Sequence, residues 1–469
     1  MAVTARSASS LNMQFEHVAE KMFSHMTRTS EELNILNLVT KSLDGEHYRV
    51  NFQTEGNPYF AARGEREWLP GYDPDTSVED EIAGFTVGEM TFKNKDVYMS
   101  TDWTGQMKSA VKSSKGGYMN LQEFRLKDMA ESIKERMAIK IAGSALGTLA
   151  RIKTVASWPT VTFEYAGYSA ASTRTFENGV RYLRGGLVLD AATATRKGAL
   201  RAGIGDRGRK VVSVALDTGS SGTGPAATFQ GSAPTNWAIG DYVLQYNERA
   251  EAAVSDGANA TWDALKNPLG LIDAVDDGGL VSWYGGLQRS ANTTLNALVF
   301  ENSGTLRPLS QQLINFAAER KKQIAGGRVS CAYGTFGVIR QLVDHLTIQG
   351  SGSSGNTSQN NPMRHTPGSS QQLGFNKIEI FPLGFEGKLE VFTSRLAPHH
   401  TLFMLDKESM IMLQDGPPAF VNLDGKTVQR VIGKDEAVTD MKWTAAGIVC
   451  REPWKNIRID DLTGDHMTI

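Results

Sequence analysis

Residues Asn120–Leu149 read NLQEFRLKDMAESIKERMAIKIAGSALGTL. Apolar side chains recur here at intervals of four, the spacing of one face of an α-helix; they are Met129, Ile133, Met137, Ile141, Ala145 and Leu149. Asn120 can cap the first turn, and Glu123 follows three residues later, as in a capping box. The pattern predicts one amphipathic helix from Asn120 to about Ile152, roughly 45 to 50 Å long at 1.5 Å per residue. We expect its buried core face to consist of Met129, Ile133, Met137 and Ile141.

The residues before this helix predict an arm and a hairpin. Between Asn12 and Leu43 apolar residues recur every three or four positions, which predicts two short helices with an apolar face that includes Phe15 and Met22. The segment Gly84–Trp103 is typical of two strands around a polar tip, Lys93-Asn94-Lys95-Asp96. A lone two-stranded hairpin is marginal in water, so we expect its apolar residues to rest on another surface.

The residues after the helix alternate between short strands and helices. Glycine-rich residues 191–265 predict short strands joined by turns, which together form a β-rich insertion. Ser310 is a candidate N-cap for a helix that ends at Gly326-Gly327 and has one shared face, made of Leu313, Phe316, Ala317 and Ile324. A strand and a second helix follow, and strand-like runs recur from Lys377 to Ala445. This alternation predicts an α/β lobe completed by returning strands.

Composition and charge exclude several classes of protein. The chain has 469 residues, of which 40% are hydrophobic and 21% charged, with a formal net charge of −2. These values are typical of a soluble protein with more than one lobe, and they argue against affinity for nucleic acid over the whole surface. No apolar run predicts a signal peptide or a membrane span, so we expect no membrane association and synthesis in the cytosol. The cysteines Cys331 and Cys450 are predicted to be reduced core residues.

Four short motifs resemble catalytic or metal-binding sites, and each has a simpler interpretation. Gly203–Gly208 fits a dinucleotide fingerprint, but a strand rather than a helix is predicted after it. Gly425-Lys426-Thr427 lacks the opening glycine of a phosphate loop. Adjacent His399 and His400 would point to opposite faces of a strand, and the acidic run Val78–Glu81 lacks EF-hand spacing. We therefore expect no catalytic residues, no cofactor and no metal.

The predicted order is helical arm, long hairpin, long helix, β-rich insertion, α/β lobe and returning strands. This order resembles that of the major capsid proteins of tailed bacteriophages with the Hong Kong-type (Johnson) fold. Three stretches carry the resemblance: Asn267–Asp273 through Tyr284–Ser290, the helix opened by Ser303–Ser310, and Gly447–Cys450 with the turn that leads to Ile457–Leu462.

The resemblance implies an α+β fold with the domains of that family. The implied segments are an N-arm (1–71), an E-loop hairpin (72–118), a P-domain with its spine helix (119–190), the β-rich insertion (191–265), an A-domain (266–400), and returning strands of the P-domain and A-domain with a C-terminal tail (401–469). The insertion departs most from the minimal family pattern.

The resemblance also implies a shell-building protein without catalytic activity. Such a subunit would assemble with itself into pentamers and hexamers and close an icosahedral head around double-stranded DNA, with a scaffolding protein, a portal and in some heads a decoration protein as partners. It would reside in the host cytoplasm during assembly and then in the virion. Candidate contacts with neighbouring subunits are Phe15, Met22, Lys93 and Lys95. Candidate contacts with DNA on the inner face are Arg125, Lys127, Lys134 and Lys140.

Three alternatives remain open at this point. The basic side chains of the long helix can simply be solvated and pair with Glu131 and Glu135 at helical spacing. The arm and the hairpin can pack within their own subunit. The protein can also be an encapsulin-like nanocompartment shell or, with less support, a β-rich enzyme; the insertion and the chain length favour the phage capsid.

Overall fold

A computed structural model of the chain describes residues 39–41, 47–53, 87–104, 115–145, 148–163, 188–192, 209–215, 226–231, 237–245, 267–279, 281, 283–303, 305–326, 329–342, 378–380, 389–394, 396–422, 428–430 and 436–463. Most of the predicted arm, including Phe15 and Met22, lies outside these residues, as do the Gly203–Gly208 and Gly425–Thr427 motifs and the acidic run Val78–Glu81.

The described residues contain three α-helices with both ends described, a further helical stretch at residues 336–342, and twenty-two strands. The helices are α1 (Lys115–Ala142), α2 (Leu271–Ala274) and α3 (Gln311–Ala325). The strands of the first half are β1 (Val39–Lys41), β2 (His47–Gln53), β3 (Val87–Lys93), β4 (Lys95–Thr104), β5 (Thr148–Ser157), β6 (Thr160–Phe163), β7 (Val188–Ala192), β8 (Arg209–Ala215), β9 (Ala226–Phe229) and β10 (Tyr242–Gln245). Those of the second half are β11 (Trp283–Tyr284), β12 (Leu287–Gln288), β13 (Leu298–Phe300), β14 (Cys331–Gly334), β15 (Ile378–Ile380), β16 (Leu389–Thr393), β17 (Leu402–Leu405), β18 (Met410–Gln414), β19 (Ala419–Phe420), β20 (Val428–Arg430), β21 (Glu436–Cys450) and β22 (Ile457–Ile459).

The strands form two six-stranded sheets, one barrel, a ribbon and a small hairpin. In the long sheet, β21 pairs with β18, β19 and β20 along one edge and with β4 along the other, and β1 extends the sheet beyond β18. The lobe sheet has the order β13-β22-β17-β14-β16-β15, and the barrel closes in the order β10-β5-β6-β9-β8-β7. The ribbon is β2 with β3, and the hairpin is β11 with β12. The chain is thus a mixed α/β structure with few helices.

Helix α1 packs its apolar face into the main core. Met129, Ile133, Met137 and Ile141 are all buried there, at the interval of four that the sequence predicts. They share this core with the ribbon through Met90 and Phe92 and with the long sheet. One face of α1 therefore joins the ribbon to the main body of the subunit.

The predicted bounds of this helix are wrong at both ends. It begins at Lys115, so Asn120 lies inside it, and it ends at Ala142, well before Ile152. Residues from Thr148 onwards form strand β5, in which Ala150 and Ile152 are buried while Lys153 is exposed. The four-residue spacing continues past Gly143 by coincidence: Ala145 and Leu149 fit a helix, whereas Ala150 and Ile152, which are buried in β5, fit the two-residue alternation of a strand. Pairing with β6 and β10 decides between the two patterns.

The hairpin predicted over Gly84–Trp103 does not form. Strands β3 and β4 are separated only by Asn94, and they pair with different partners: β3 with β2 over seven residues and β4 with β21 over ten. Lys93 and Lys95 consequently lie where the ribbon meets the long sheet, rather than at a hairpin tip. The hairpin that does form joins the end of β2 at Gln53 to the start of β3 at Val87.

The β-rich region starts earlier in the chain than the predicted insertion. The barrel includes β5 and β6, which precede residue 191, together with β7 to β10. Its interior is closed by apolar residues from all six strands, among them Ile152, Phe163, Leu189, Val211, Phe229 and Val243. Because β5 follows α1 after five residues, the barrel is attached directly to the end of that helix.

The lobe sheet is covered by α3, whose first turn is capped as predicted. The hydroxyl of Ser310 accepts a hydrogen bond from the amide of Leu313, 3.2 Å away. The predicted apolar face is only partly correct, since Ala317 is buried but Phe316 and Ile324 are 56% and 57% exposed. The buried stripe consists of Ile314, Ala317, Ala318 and Lys321. Its last member is charged, which a reading of apolar periodicity cannot detect.

Val39–Lys41, predicted as the end of a helical arm, form strand β1 parallel to β18. Both cysteines are free and buried, as the sequence predicts. Among the described residues, no helix combines the length and apolar character needed to cross a membrane.

We predict that Ile133→Ala lowers the free energy of unfolding by about 2–5 kcal/mol, because the deleted atoms leave a cavity in the main core. The measurement is urea denaturation of the full chain. The control is Glu131→Ala on the exposed side of the same helix, which should change stability by no more than about 0.5 kcal/mol. Equal effects of the two substitutions would show that this face of α1 is not the core.

Candidate functional site: the ribbon base and the buried charge cluster

The ribbon has one apolar and one polar face. Val50, Met90 and Phe92 are buried on the first face, and Arg49, Asn51 and Glu89 are exposed on the second. An exposed ion pair joins the strands on the polar face, with Arg49 Nε 3.0 Å from Glu89 Oε1. Such a pair contributes about 0–1 kcal/mol, so it does not by itself hold the ribbon in place. The apolar face must do so.

The apolar face docks on the turn of the β11–β12 hairpin. The Phe92 ring meets the Tyr284 ring edge to face at 5.3 Å, and the Thr91 amide donates to the Gly285 carbonyl at 2.9 Å. Gly285 lies so close that a Cβ there would be 2.7 Å from Met90 Cβ. The ribbon base is therefore fixed by a close backbone approach that only glycine permits.

Tyr284 connects this dock to the end of β21. Its hydroxyl accepts a hydrogen bond from the Cys450 amide at 2.7 Å and donates to the Cys450 carbonyl at 3.2 Å. The Arg289 guanidinium lies over the ring, 4.8 Å from its centroid. Burial is the main cause that raises the pKa of the Tyr284 phenol, so the phenol remains protonated and can make both bonds.

Beneath Tyr284 lies a fully buried set of charges, which we call the charge cluster: Asp273, Asp276, Arg289, Arg458 and Asp460. Arg458 pairs with Asp276 at 2.8 Å and with Asp460 at 3.1 Å, and donates to the Val275 carbonyl at 2.7 Å. Arg289 donates to the carbonyls of Asp273, Asp276 and Leu295. Both guanidinium groups thus exchange water for several protein acceptors, which a buried cation requires.

Asp273 in α2 and Asp276 just after it have different hydrogen-bond partners. Asp276 also accepts from the amides of Gly278 and Val281 at 3.0 and 2.8 Å. Burial raises its pKa, but the charges of Arg458 and Arg289 together with these bonds outweigh burial and hold the pKa below its ordinary value. Asp273 accepts from Ser144 Oγ, the Ala145 amide and the Gly270 amide at 2.5–2.8 Å. Asp273 therefore ties the end of α1 to the start of α2.

The structure places the predicted site residues as follows. Lys93 is half-buried opposite His47 in the ribbon, and Lys95 is half-buried opposite Ala445 in the long sheet. Lys134 is half-buried on α1, and Lys140 is only 9% exposed, with its Nζ donating to Asn267 Oδ1. Burial makes Lys140 unsuitable for contact with DNA. Arg125 and Lys127 belong to α1, but their side chains lie outside the described part.

Sequence reasoning missed the charge cluster. The stretches Asn267–Asp273, Tyr284–Ser290 and Ile457–Leu462 contain most of its members, but in the sequence they carry only the family resemblance. The available signal was a charged residue inside an apolar run, as for Asp273 after Leu271-Ile272 and for Arg458 between Ile457 and Ile459. Charges at such positions are almost always paired.

The His399–His400 pair is used structurally. His400 lies in a turn with φ +55, not on a strand, and its Nδ1 is 2.6 Å from the Leu462 carbonyl oxygen. Within the described ranges, no group of three or more His, Cys, Asp or Glu side chains could hold a metal ion.

We predict that Gly285→Ala loosens the ribbon whereas Gly286→Ala does not. Both glycines have positive φ, +57 and +81, but a Cβ at Gly286 would meet nothing within 4 Å. Both variants therefore carry backbone strain of about 1–2 kcal/mol, and only Gly285→Ala also displaces Met90. Hydrogen exchange of residues 47–53 and 87–93 should accelerate in Gly285→Ala alone. Equal exchange rates in the two variants would contradict the contact between Gly285 and Met90.

We predict that Arg458→Met lowers the free energy of unfolding by about 3–5 kcal/mol, because it leaves the Asp276 and Asp460 carboxylates buried without their cation. The control is Arg320→Met, an exposed position on α3. The contribution of Asp276 is present above its ordinary pKa of 3.8 and is lost as the pH falls through the lower folded value. The stability gap between wild type and Arg458→Met should therefore narrow in strong acid. A gap below about 1 kcal/mol at pH 7 would refute the assigned role.

Comparison with known proteins gives structural similarity without sequence similarity. No protein-family model matches the chain, and no curated protein matches it. The capsid of Cyanophage A-1(L) is 8% identical with a TM-score of 0.44, covering 92% of this chain and 93% of that one. The capsid of Myoviridae Phage XM1 is 8% identical with a TM-score of 0.41, covering 92% of each chain. The SrpI encapsulin of Synechococcus elongatus PCC 7942 is 8% identical with a TM-score of 0.40, covering 94% of this chain and 91% of that one. The chain is thus similar in structure to phage capsid proteins and to an encapsulin.

Proposed function

We propose that this chain is the major capsid protein of a tailed bacteriophage, which assembles with itself into the icosahedral head that encloses double-stranded DNA. The observation that carries the proposal is the ribbon, which within the described residues is a two-stranded sheet outside both six-stranded sheets, docked through one face. The order of ribbon, long helix, β-rich module, α/β lobe and returning strands agrees with the resemblance found in the sequence.

The ribbon needs a partner for physical reasons. An isolated two-stranded sheet is marginally stable in water. Its apolar face is buried against Tyr284 through Phe92, while Asn51 and Glu89 on the opposite face are exposed. Within the described residues, neither strand has a third strand beside it. Neighbouring subunits of a closed, symmetric shell present the same surface repeatedly and can cover such a ribbon.

The buried polar groups support a structural rather than a catalytic role. The carboxylates of Asp273 and Asp276 are occupied by backbone amides, a hydroxyl or a guanidinium. Burial raises the pKa of the Cys331 and Cys450 thiols to about 12, so both are protonated and poor nucleophiles at neutral pH. These groups stabilise the subunit, and shell building needs no further chemistry from them.

The proposed partners are other copies of this chain, a scaffolding protein, a portal, in some heads a decoration protein, and the packaged DNA. Contact with DNA would be non-specific and electrostatic, and Lys134 is the described member of the proposed inner-face set that is not buried. The proposed location is the virion, after assembly in the host cytoplasm.

We predict that the full chain, produced together with its scaffolding protein, forms closed particles that are visible by electron microscopy. Particles from infected cells should contain duplex DNA protected from nuclease. Gly285→Ala should lower the yield of particles, and Gly286→Ala should serve as the matched control. A chain that stays monomeric with scaffold present would refute shell building. Particles that enclose an enzyme and no DNA would instead favour the encapsulin-like alternative.

A further inference from the structure

The buried stripe of α3 contains a lysine where an apolar residue is expected. Ile314, Ala317, Ala318 and Lys321 follow the spacing of a core-facing helix stripe, and all four are buried. Lys321 is 0% exposed, and its Nζ has no hydrogen-bond partner among the described residues. A buried ammonium group without a partner is strongly unfavourable, whereas the neutral amine is tolerated.

The two acidic side chains and the thiol near Lys321 are bonded to other groups. Asp406, at the end of β17, accepts from the Glu408 amide at 3.2 Å. Glu452 pairs with Lys455 at 2.5 Å in the 3₁₀ turn that α3 contacts. The Cys450 thiol, at the end of β21, donates to Ser409 Oγ at 3.6 Å. The nearest negative charges therefore act on Lys321 from a distance without forming a hydrogen bond to it.

We infer that Lys321 makes the docking of the C-terminal half of α3 pH-controlled, because the uncharged side chain fits the buried position and the charged one disfavours it. Burial, opposed by Asp406, lowers the pKa of Lys321 from 10.5 to about 8. A basic group with a lowered folded pKa costs stability below that value, where it is charged, and ceases to do so as the pH rises towards the unfolded value. The docked state should therefore tighten between about pH 8 and 10.5.

The opposing carboxylate gives a second handle on the same equilibrium. The Asp406 charge favours the charged lysine, so Asp406→Asn should lower the pKa of Lys321 further. Asparagine can still accept the Glu408 amide, so the local turn is preserved. The tightening should then begin at lower pH.

The test measures hydrogen-exchange protection factors, corrected for intrinsic exchange, for the amides of residues 318–325 in the full chain at pH 7.0 and 9.5. Wild type should gain roughly 30-fold in protection over this interval, given the size of the pKa shift. Lys321→Met should be highly protected at both values. Lys322→Met, which removes an exposed charge from the neighbouring position, should keep the wild-type rise, and Lys321→Arg should stay weakly protected at both. A wild-type rise in Lys321→Met, or weaker protection of that variant than of wild type at pH 7.0, would overturn the inference.

Discussion

The ion pair between Arg458 and Asp276 is the contact on which the other parts of the subunit depend. Arg458 belongs to the lobe sheet through β22, and Asp276 follows α2, which contacts both α1 and the long sheet. A buried ion pair contributes little net stability, because removing both charges from water costs several kcal/mol for each ion. The pair instead specifies how α2 and the lobe sheet are positioned, because each buried charge is stable only when the other lies within ion-pair distance.

The stretch from Leu269 to Asp276, which includes α2, crosses the long sheet at Gly447, where there is no room for a side chain. The Leu269 amide donates to the Ala446 carbonyl at 2.9 Å, and the Ile448 amide donates to the Leu269 carbonyl at 3.0 Å. Gly447 lies between these bonds with φ +99, and a Cβ there would be 2.2 Å from the Leu269 carbonyl oxygen. The crossing fixes this stretch at Leu269, and the charge cluster fixes it at Asp276. The stretch can then hold the end of α1 through Asp273.

The sequence predicts what depends on local periodicity and fails where the pairing partner decides. The core face of α1 and the Ser310 cap follow from spacing within one element. The end of α1 and the β3–β4 junction do not, because residues near Leu149 fit two periodicities and Asn94 resembles a turn. There, β6, β10, β2 and β21 select the conformation from distant parts of the chain. The charge cluster was hidden for the same reason, since its partners are as far apart as Val275 and Arg458.

The junction at Asn94 makes the ribbon continuous with the body of the subunit. Lys93 ends β3 and Lys95 begins β4, whose ten pairs with β21 hold it in register along the long sheet. The carboxyl end of β21, at Cys450, is hydrogen-bonded to Tyr284, against which Phe92 packs. A displacement of the ribbon would therefore act on β21 both through the chain at Asn94 and through the ring contact at Tyr284. Two attachments to one strand restrain the direction of the ribbon more strongly than a single flexible joint would. The ribbon is thereby held in a defined orientation, which would reduce the ordering cost of any contact made through it.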